Sequence, residues 1–571
     1  MNRFRPYILI FAIVLSGLLA YGLFTLPGAK DADYAGFSSA RAVKDIEVIS
    51  KEHHSVANPE ARAEVRSYLS SRLEQMGAKV SQYQYDSCSG RGYVFDAVDV
   101  LGEFPPVGDS AAVESATYMM MVAHYDSRYH QVFCGDTVLS YGAADDGYGV
   151  AVALEAAAQA MKRRENWNQG LKILFTDAEE VGMDGMTNIW EKNREVFDNV
   201  GFIVNIEARG PWGPALLFET CPGNVGVLDL YKAAKYPYTY SLTTVVYSFM
   251  PNFTDFTIVK DHIPGMNFST ITDVNHYHTN LDNFSNVSER SLQHYGEQIV
   301  PVTVKYLTDA RYADRDALKS SENDTFFTVP GIGNLRFSKT VYLVINIVIA
   351  VLFLLLFLLE MFRGRFSFLK ALGVSGFVLG SAIVVLLLGE LVAWASAAAG
   401  GVPFKLFGIV QGVMADNAIM IATTVLMAVI AAAVYFMRRK SAIRATISTS
   451  FRDSAALSAA KKHACNVLYG VLLLLAVLSV VLVAVLGENL MFFIPLAATT
   501  LAMILWRLTT AKFWLPLALV FILLHAFSFL YALAMALTIG AFGAVLMLAF
   551  LDVLVIIPIC DLYLTAAKAK R

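Results

Sequence analysis

Charge and cysteine are both scarce in this chain. Of 571 residues only 16% are Asp, Glu, Lys or Arg, and five are Cys. The formal net charge of -3 leaves no excess of either sign, so nothing points to nucleic acid as a partner. No CxxC pair occurs among Cys88, Cys134, Cys221, Cys465 and Cys560, which excludes a zinc finger. Cys88, Cys134 and Cys221 allow one disulfide with one thiol left over, and the three possible pairings stay open. The low charge accompanies a hydrophobic content of 56%, too high for an ordinary soluble protein.

The apolarity is uneven. Residues 7–26 form a run long enough to span a bilayer, residues 28–338 are mixed, and residues 339–571 are dominated by further apolar runs at 341–362, 368–395, 417–437, 466–486, 490–506, 513–536 and 541–562. Three domains are expected: an N-terminal anchor (1–27), a polar domain (28–338) and a C-terminal membrane domain of about seven helices (339–571). Arg3 and Arg5 before the first span place the N-terminus in the cytoplasm, because Lys and Arg of short loops are retained there. With eight crossings the basic segments around Arg363, Arg439, Arg507 and Lys568 also fall inside, and the polar domain lies outside. The first span exceeds a usual signal h-region and lacks an Ala-x-Ala ending, so it reads as an uncleaved anchor.

Within the polar domain, YMMMVAHYD, LKILFTDAEE and VGFIVNIEA are short, nearly continuous apolar runs that end in polar residues. Such runs are expected of strands buried on both faces, with helices at 61–76 and 149–164 between or before them. The fold class is α/β, a mixed and mainly parallel sheet sandwiched by helices, and chemistry in such sheets collects beyond the carboxyl ends of the strands.

Five stretches put metal-binding side chains at those ends: AHYDS (His124, Asp126), GAADDGYG (Asp145, Asp146), FTDAEEVG (Glu179, Glu180), NIEARG (Glu207) and HYHTNLD (His276, His278). His124 offers an imidazole nitrogen, and Asp126 is in reach of the other one. One of Asp145 and Asp146 is a helix N-cap and the other a carboxylate able to join two cations. Adjacent Glu179 and Glu180 would repel unless cations were present, and one can ligate while the other acts as a base. Gly142, Gly147 and Gly149 let the intervening loop pass close to a metal.

In this order the motifs HYD, GAADDGYG, DAEEVG, NIEARG and YHTNLDN resemble peptidase family M28, the zinc aminopeptidases, over residues 42–307. The resemblance implies two Zn²⁺ per chain and peptide substrates with a free N-terminus. It implies Asp145 as the carboxylate between the metals, His124 and Glu207 on one zinc, Glu180 and His278 on the other, Glu179 as general base, Asp126 behind His124, and Tyr277 polarising the substrate carbonyl. A membrane-anchored domain of this kind followed by a multi-span region resembles the endoplasmic-reticulum metallopeptidase type and its bacterial relatives. High alanine content and short loops favour a bacterial inner membrane, with the endoplasmic reticulum as the alternative. Of five Asn-x-Ser/Thr sequons, Asn267 falls in a predicted strand where a glycan would not fit.

Two other readings use the same sequence: a single-zinc glutaminyl-cyclase-like enzyme, against which His124 counts, and a receptor or chaperone domain that has lost its metals. Glu390, His525 and Asp552 fall inside apolar spans and are read as interhelical hydrogen-bonding groups of an anchor bundle.

Overall fold

The apolar runs that end in acidic or imidazole residues are strands of one sheet in the computed structural model, which describes residues 4–108, 113, 115–133, 136–250, 252–446 and 452–565. The first nine strands are β1 (Lys79–Gly90), β2 (Tyr93–Phe104), β3 (Tyr118–His124), β4 (Gln131–Phe133), β5 (Asp136–Val138), β6 (Gly170–Thr176), β7 (Val200–Ala208), β8 (Leu216–Thr220) and β9 (Gly265–Thr270), and Asp324–Val329 pairs with Gly333–Ser338 in a separate hairpin. Seven of them form a sheet in the order β1-β2-β6-β3-β7-β9-β8, and β4 pairs with β5 separately. Every residue of β3, β6, β7 and β9 is buried. These four run parallel, whereas β1, β2 and β8 join the edges antiparallel. The parallel character expected from the sequence therefore belongs to the centre of the sheet.

The chain visits β6 on one side of β3 and then crosses to β7 on the other, so right-handed crossovers put the helices Gly147–Met161 and Asp184–Lys192 on opposite faces. Ser39–Ile49 and Glu289–Thr308 pack with the first of these, and Asp255–Val259 packs with the second. The reversal of direction at β3 creates a crevice at the carboxyl ends of β3 and β7. The helix Gly147–Met161 begins two residues before the expected position because Asp146 caps it, accepting at Oδ1 from the Gly149 N–H at 2.9 Å. Asn267 on β9 is fully buried and donates to Glu219 and Thr254, which leaves no room for a glycan. Cys88 and Cys221 carry free thiols, so the disulfide between these two does not form, and Cys134 lies outside the described residues.

The described residues separate into two units: Phe24–Thr328 with Ile332–Ser338, which holds this sheet, and Met1–Leu23 with Val329–Gly331 and Lys339–Arg571. The second unit contains eight helices long and apolar enough to cross a membrane, beginning with Arg5–Gly22, which packs against Trp514–Leu537. Several are longer than their apolar runs. Phe368–Gly400, at 33 residues, extends about 50 Å against a hydrocarbon layer of about 30 Å. Arg365 and Arg507 lie 3.5 and 2.8 Å from Glu360, and Arg439 lies 2.7 Å from Asp561, so basic residues at these helix ends are ion-paired. The basic residues Arg3 and Lys568 lie outside the described residues.

Glu390 does make an interhelical bond, accepting from the Gly543 N–H at 3.1 Å. There Gly389 and Gly543 let two backbones touch, since a Cβ on Gly389 would stand 2.6 Å from the Gly543 Cα. His525 and Asp552 differ from the expectation, because neither side chain has a hydrogen bond to another helix among the described residues.

Candidate metal centre

His124 closes β3, and the register sets its surroundings. It stands opposite Thr176 of β6, Val122 stands opposite Asn205 of β7, and Glu207 stands opposite Ser269 of β9. Four strand ends are thereby level along one edge of the sheet. After β6 the chain turns through Ala178, whose φ of 56° is left-handed, into the single-turn helix Glu179–Gly182. The turn is held by Asp126, whose carboxylate accepts from the backbone N–H of Glu179 at 2.9 Å and of Glu180 at 3.3 Å. His124 Nδ1 lies 3.0 Å from the Asp126 carbonyl oxygen and 3.4 Å from its carboxylate. Asp126 thus holds the imidazole chiefly through its backbone and uses its carboxylate to fix the two glutamates.

Asp145 and Asp146 sit on a loop organised by a residue that sequence reasoning missed. Asp282, last of the HYHTNLD stretch, accepts from the Ala144 N–H at 2.7 Å, the Ser140 hydroxyl at 3.0 Å and the Asp145 N–H at 3.3 Å. Burial, with the charge of Asp145 added, pushes the Asp282 carboxyl up to about 7. Gly142 has φ +63°, and a Cβ there would lie 2.9 Å from Ser127 Cβ, so only glycine lets the loop pass. Arg128, also not foreseen, donates to the carbonyl oxygen of Glu180 at 2.7 Å and to its Oε2 at 2.8 Å.

His278 has a left-handed φ of 60°, a conformation that costs energy in a residue with a Cβ and collects at functional sites. Its ring stacks on Tyr277 at 3.6 Å between centroids. His276 lies nearby in sequence but is spent locally, with Nδ1 3.1 Å from the Asp273 carbonyl oxygen.

The candidate ligands converge as two groups: His124, Asp146 and Glu207 in one, Asp145, Glu180 and His278 in the other, with the ligand atoms of each group all within 4.8 Å of one another. Asp145 stands between the two imidazoles. Its Oδ1 is 3.2 Å from His124 Nε2, and its Oδ2 is 3.1 Å from His278 Nε2. His278 Nε2 is 3.0 Å from Glu180 Oε2, and His124 Nε2 is 3.8 Å from Glu207 Oε2. Donors about 2.0–2.1 Å from a tetrahedral zinc stand about 3.3 Å apart, so the spacings suit one ion in each group. The expectation divides capping and metal binding between Asp145 and Asp146, whereas Asp146 shares the His124 group as well as capping its helix.

Charge points the same way. Burial, reinforced by Glu207, drives Asp146 well above the usual carboxylate range, and burial drives Glu179 up likewise despite His124. Glu207 rises to about 8, again by burial, with His124 opposing and Asp145 adding to the shift. Burial also disfavours charge on Asp145, but hydrogen bonds from His124 and His278 outweigh it and hold Asp145 below the usual range. Burial opposes protonation of His124, whereas Asp126 and Asp145 overcome it and raise the imidazole well above its ordinary value. Left to itself the cluster relieves its repulsion by binding protons, and divalent cations relieve the same repulsion. Asp146 Oδ2 and Glu180 Oε1 are buried oxygens with no hydrogen-bond partner among the described residues, as atoms kept for a cation would be. The residues fit a pair of metal ions.

Residues 104–303 match peptidase family M28. Among curated proteins, the chain is 27% identical to endoplasmic reticulum metallopeptidase 1 of Rattus norvegicus over 337 residues, which are 52% of this chain and 35% of that protein. It is 23% identical to the vacuolar membrane protease of Candida dubliniensis over 322 residues, 54% of this chain and 32% of that protein. The chain spans about a third of the length of these relatives. Among solved structures, the glutaminyl cyclase of Bacteroides thetaiotaomicron bound to N-acetylhistamine is similar at 18% identity and a TM-score of 0.38, covering 49% of this chain and 99% of that one.

Proposed function

We propose that this chain, which carries a peptidase family M28 domain, is a membrane-bound di-zinc aminopeptidase that removes N-terminal residues from peptides. The observation that carries this reading is the carboxylate of Asp145 between His124 and His278, with one donor group on either side. His124, Glu207 and Asp146 would hold one zinc, Glu180 and His278 the other, and Asp145 both. Bound zinc would supply Lewis acidity toward the scissile carbonyl and toward water.

The protein's own groups carry the proton. Glu179 belongs to neither donor group and is half-buried, while its backbone is fixed by Asp126. It takes a proton from the attacking water as the C–O bond forms and gives it to the departing amine as the C–N bond breaks. Asp126 and Asp282 position these groups through the backbone bonds described above.

The Tyr277 hydroxyl donates to the oxygen on which negative charge develops, an interaction that strengthens only in the transition state. Tyr277→Phe is therefore expected to lower kcat by roughly tenfold to a thousandfold, with KM and metal content little changed. If Tyr277 only packs the loop that carries His278, the variant will instead show near-normal kcat at full metal occupancy.

Metal analysis of the purified full-length chain, combined with aminoacyl reporters, N-blocked peptides and N-terminal glutaminyl peptides, tests the function. Two zinc ions per chain with cleavage only of free N-termini are expected. One zinc ion with cyclisation of glutaminyl peptides would mark a cyclase, and absence of both metal and turnover a receptor or chaperone domain. In sealed vesicles that keep the cytoplasmic face inside, cleavage of added reporter without detergent is expected if the site lies outside the cytoplasm. Turnover that needs detergent would reverse that topology.

A further inference from the structure

Arg209 follows β7 directly, and its backbone N–H continues the ladder to the Thr270 carbonyl at 3.0 Å. Side chains two residues apart on an extended strand share a face, so Arg209 lies on the side of Glu207, with their backbones about 7 Å apart. Tyr247, Tyr277, Glu207 and Asp145 all act electrostatically on its guanidinium, in keeping with that placement on the side of the candidate metal ligands. Among the described residues, however, this side chain forms no hydrogen bond and no ion pair.

The nearby carboxylates are engaged elsewhere: Glu180 with Arg128 and His278, Asp145 with both imidazoles, Glu207 with Asn205 and His124, and Glu219 with Lys260 and Asn267. The guanidinium lies over the ring of Tyr247, whose centroid is 5.6 Å from the guanidinium carbon. Tyr247 comes from the helix Ser241–Ser248, packs edge-on against Phe218 and is only 7% exposed. Its hydroxyl is buried without a hydrogen-bond partner among the described residues. Among the described residues, a guanidinium without an ion pair and a phenol without a hydrogen bond thus stand together at the edge of the metal centre. Both are donors, the guanidinium is a planar fork, and the ligand that satisfies both is an acceptor with two oxygens.

We propose that Arg209 and Tyr247 form a subsite for a substrate carboxylate one residue beyond the scissile bond. It is supplied either by the C-terminus of a dipeptide or by an acidic side chain directly after the bond. The inference rests on the peptidase reading and specifies its substrate class. A neutral amide at that place would leave part of the donor set unpaired and is disfavoured for that reason.

The test compares Leu-Leu, Leu-Leu-amide, Leu-Glu-amide and Leu-Gln-amide on the zinc-loaded full-length chain. Wild type is expected to favour at least one carboxylate substrate over its neutral counterpart in kcat/KM by roughly tenfold to a hundredfold. Whichever pair shows the preference identifies the source of the carboxylate. R209Q should collapse the ratio towards one, R209K should keep part of it because charge remains without the fork, and Y247F should reduce it several-fold. Equal kcat/KM for acids and amides in wild type, or a ratio unchanged in R209Q, would overturn the subsite. If no substrate is cleaved, the peptidase reading fails, and calorimetric binding of Leu-Leu against Leu-Leu-amide decides the subsite separately. A carboxylate-dependent affinity that R209Q or Y247F abolishes supports it, and equal affinities overturn it.

Discussion

Glu179→Gln is expected to lower kcat by about a hundredfold to ten-thousandfold while leaving the metal content of the chain unchanged. The amide has the shape of the carboxylate but cannot accept the proton of the attacking water. The Glu179 backbone N–H donates to the Asp126 carboxylate, so the turn that presents the side chain survives the substitution. Glu179 also lies outside both donor groups, which is why metal should stay. Its neighbour provides the contrast. Glu180 Oε2 lies 3.0 Å from His278 Nε2, and Glu180→Gln should lose metal as well as turnover. Atomic absorption on both variants beside steady-state kinetics separates the two roles. A Glu179→Gln enzyme with most of its activity would mean that the base is another group.

Asp145→Ala is expected to remove both metals and to depress activity more than about ten-thousandfold, beyond the usual share of a general base alone. The reason is geometric. One carboxylate faces both imidazoles, at 3.2 Å from His124 Nε2 and 3.1 Å from His278 Nε2. Its removal deprives each donor group of a shared neighbour, whereas His124→Ala or His278→Ala disturbs one group directly. Asp282 holds the Asp145 loop through backbone N–H groups and the Ser140 hydroxyl, so the loop should keep its path. Metal stoichiometry together with circular dichroism of the folded variant checks the prediction. Retention of two ions per chain would remove Asp145 from its place between the metals.

Local pattern made some of these features legible and hid others. The runs ending at His124, Thr176 and Ala208 are nearly continuous in apolar residues because both faces of those strands are covered, and such a run is visible without any partner. β1 is different: its burial alternates along an edge, and it carries polar residues that resemble a loop. The membrane helices were equally visible, since bilayer thickness fixes the length of an apolar run. Their polar continuations, such as the part of Arg452–Leu486 before residue 466, lie outside the long apolar runs and carry no such signal.

The sequence alone determined the central strands, the apolar spans and the kinds of donor available at the strand ends, because periodicity, run length and residue chemistry are properties of neighbours along the chain. Only the tertiary structure decided which donors meet. Strand order and crossover direction bring His124, Asp146 and Glu207 into one group and Asp145, Glu180 and His278 into another. They also set Asp282 against the loop at Ala144, 138 residues away, and bring Tyr247 over Arg209. No local pattern encodes such pairings, since each depends on where separate strands and helices stand once both faces of the sheet are covered.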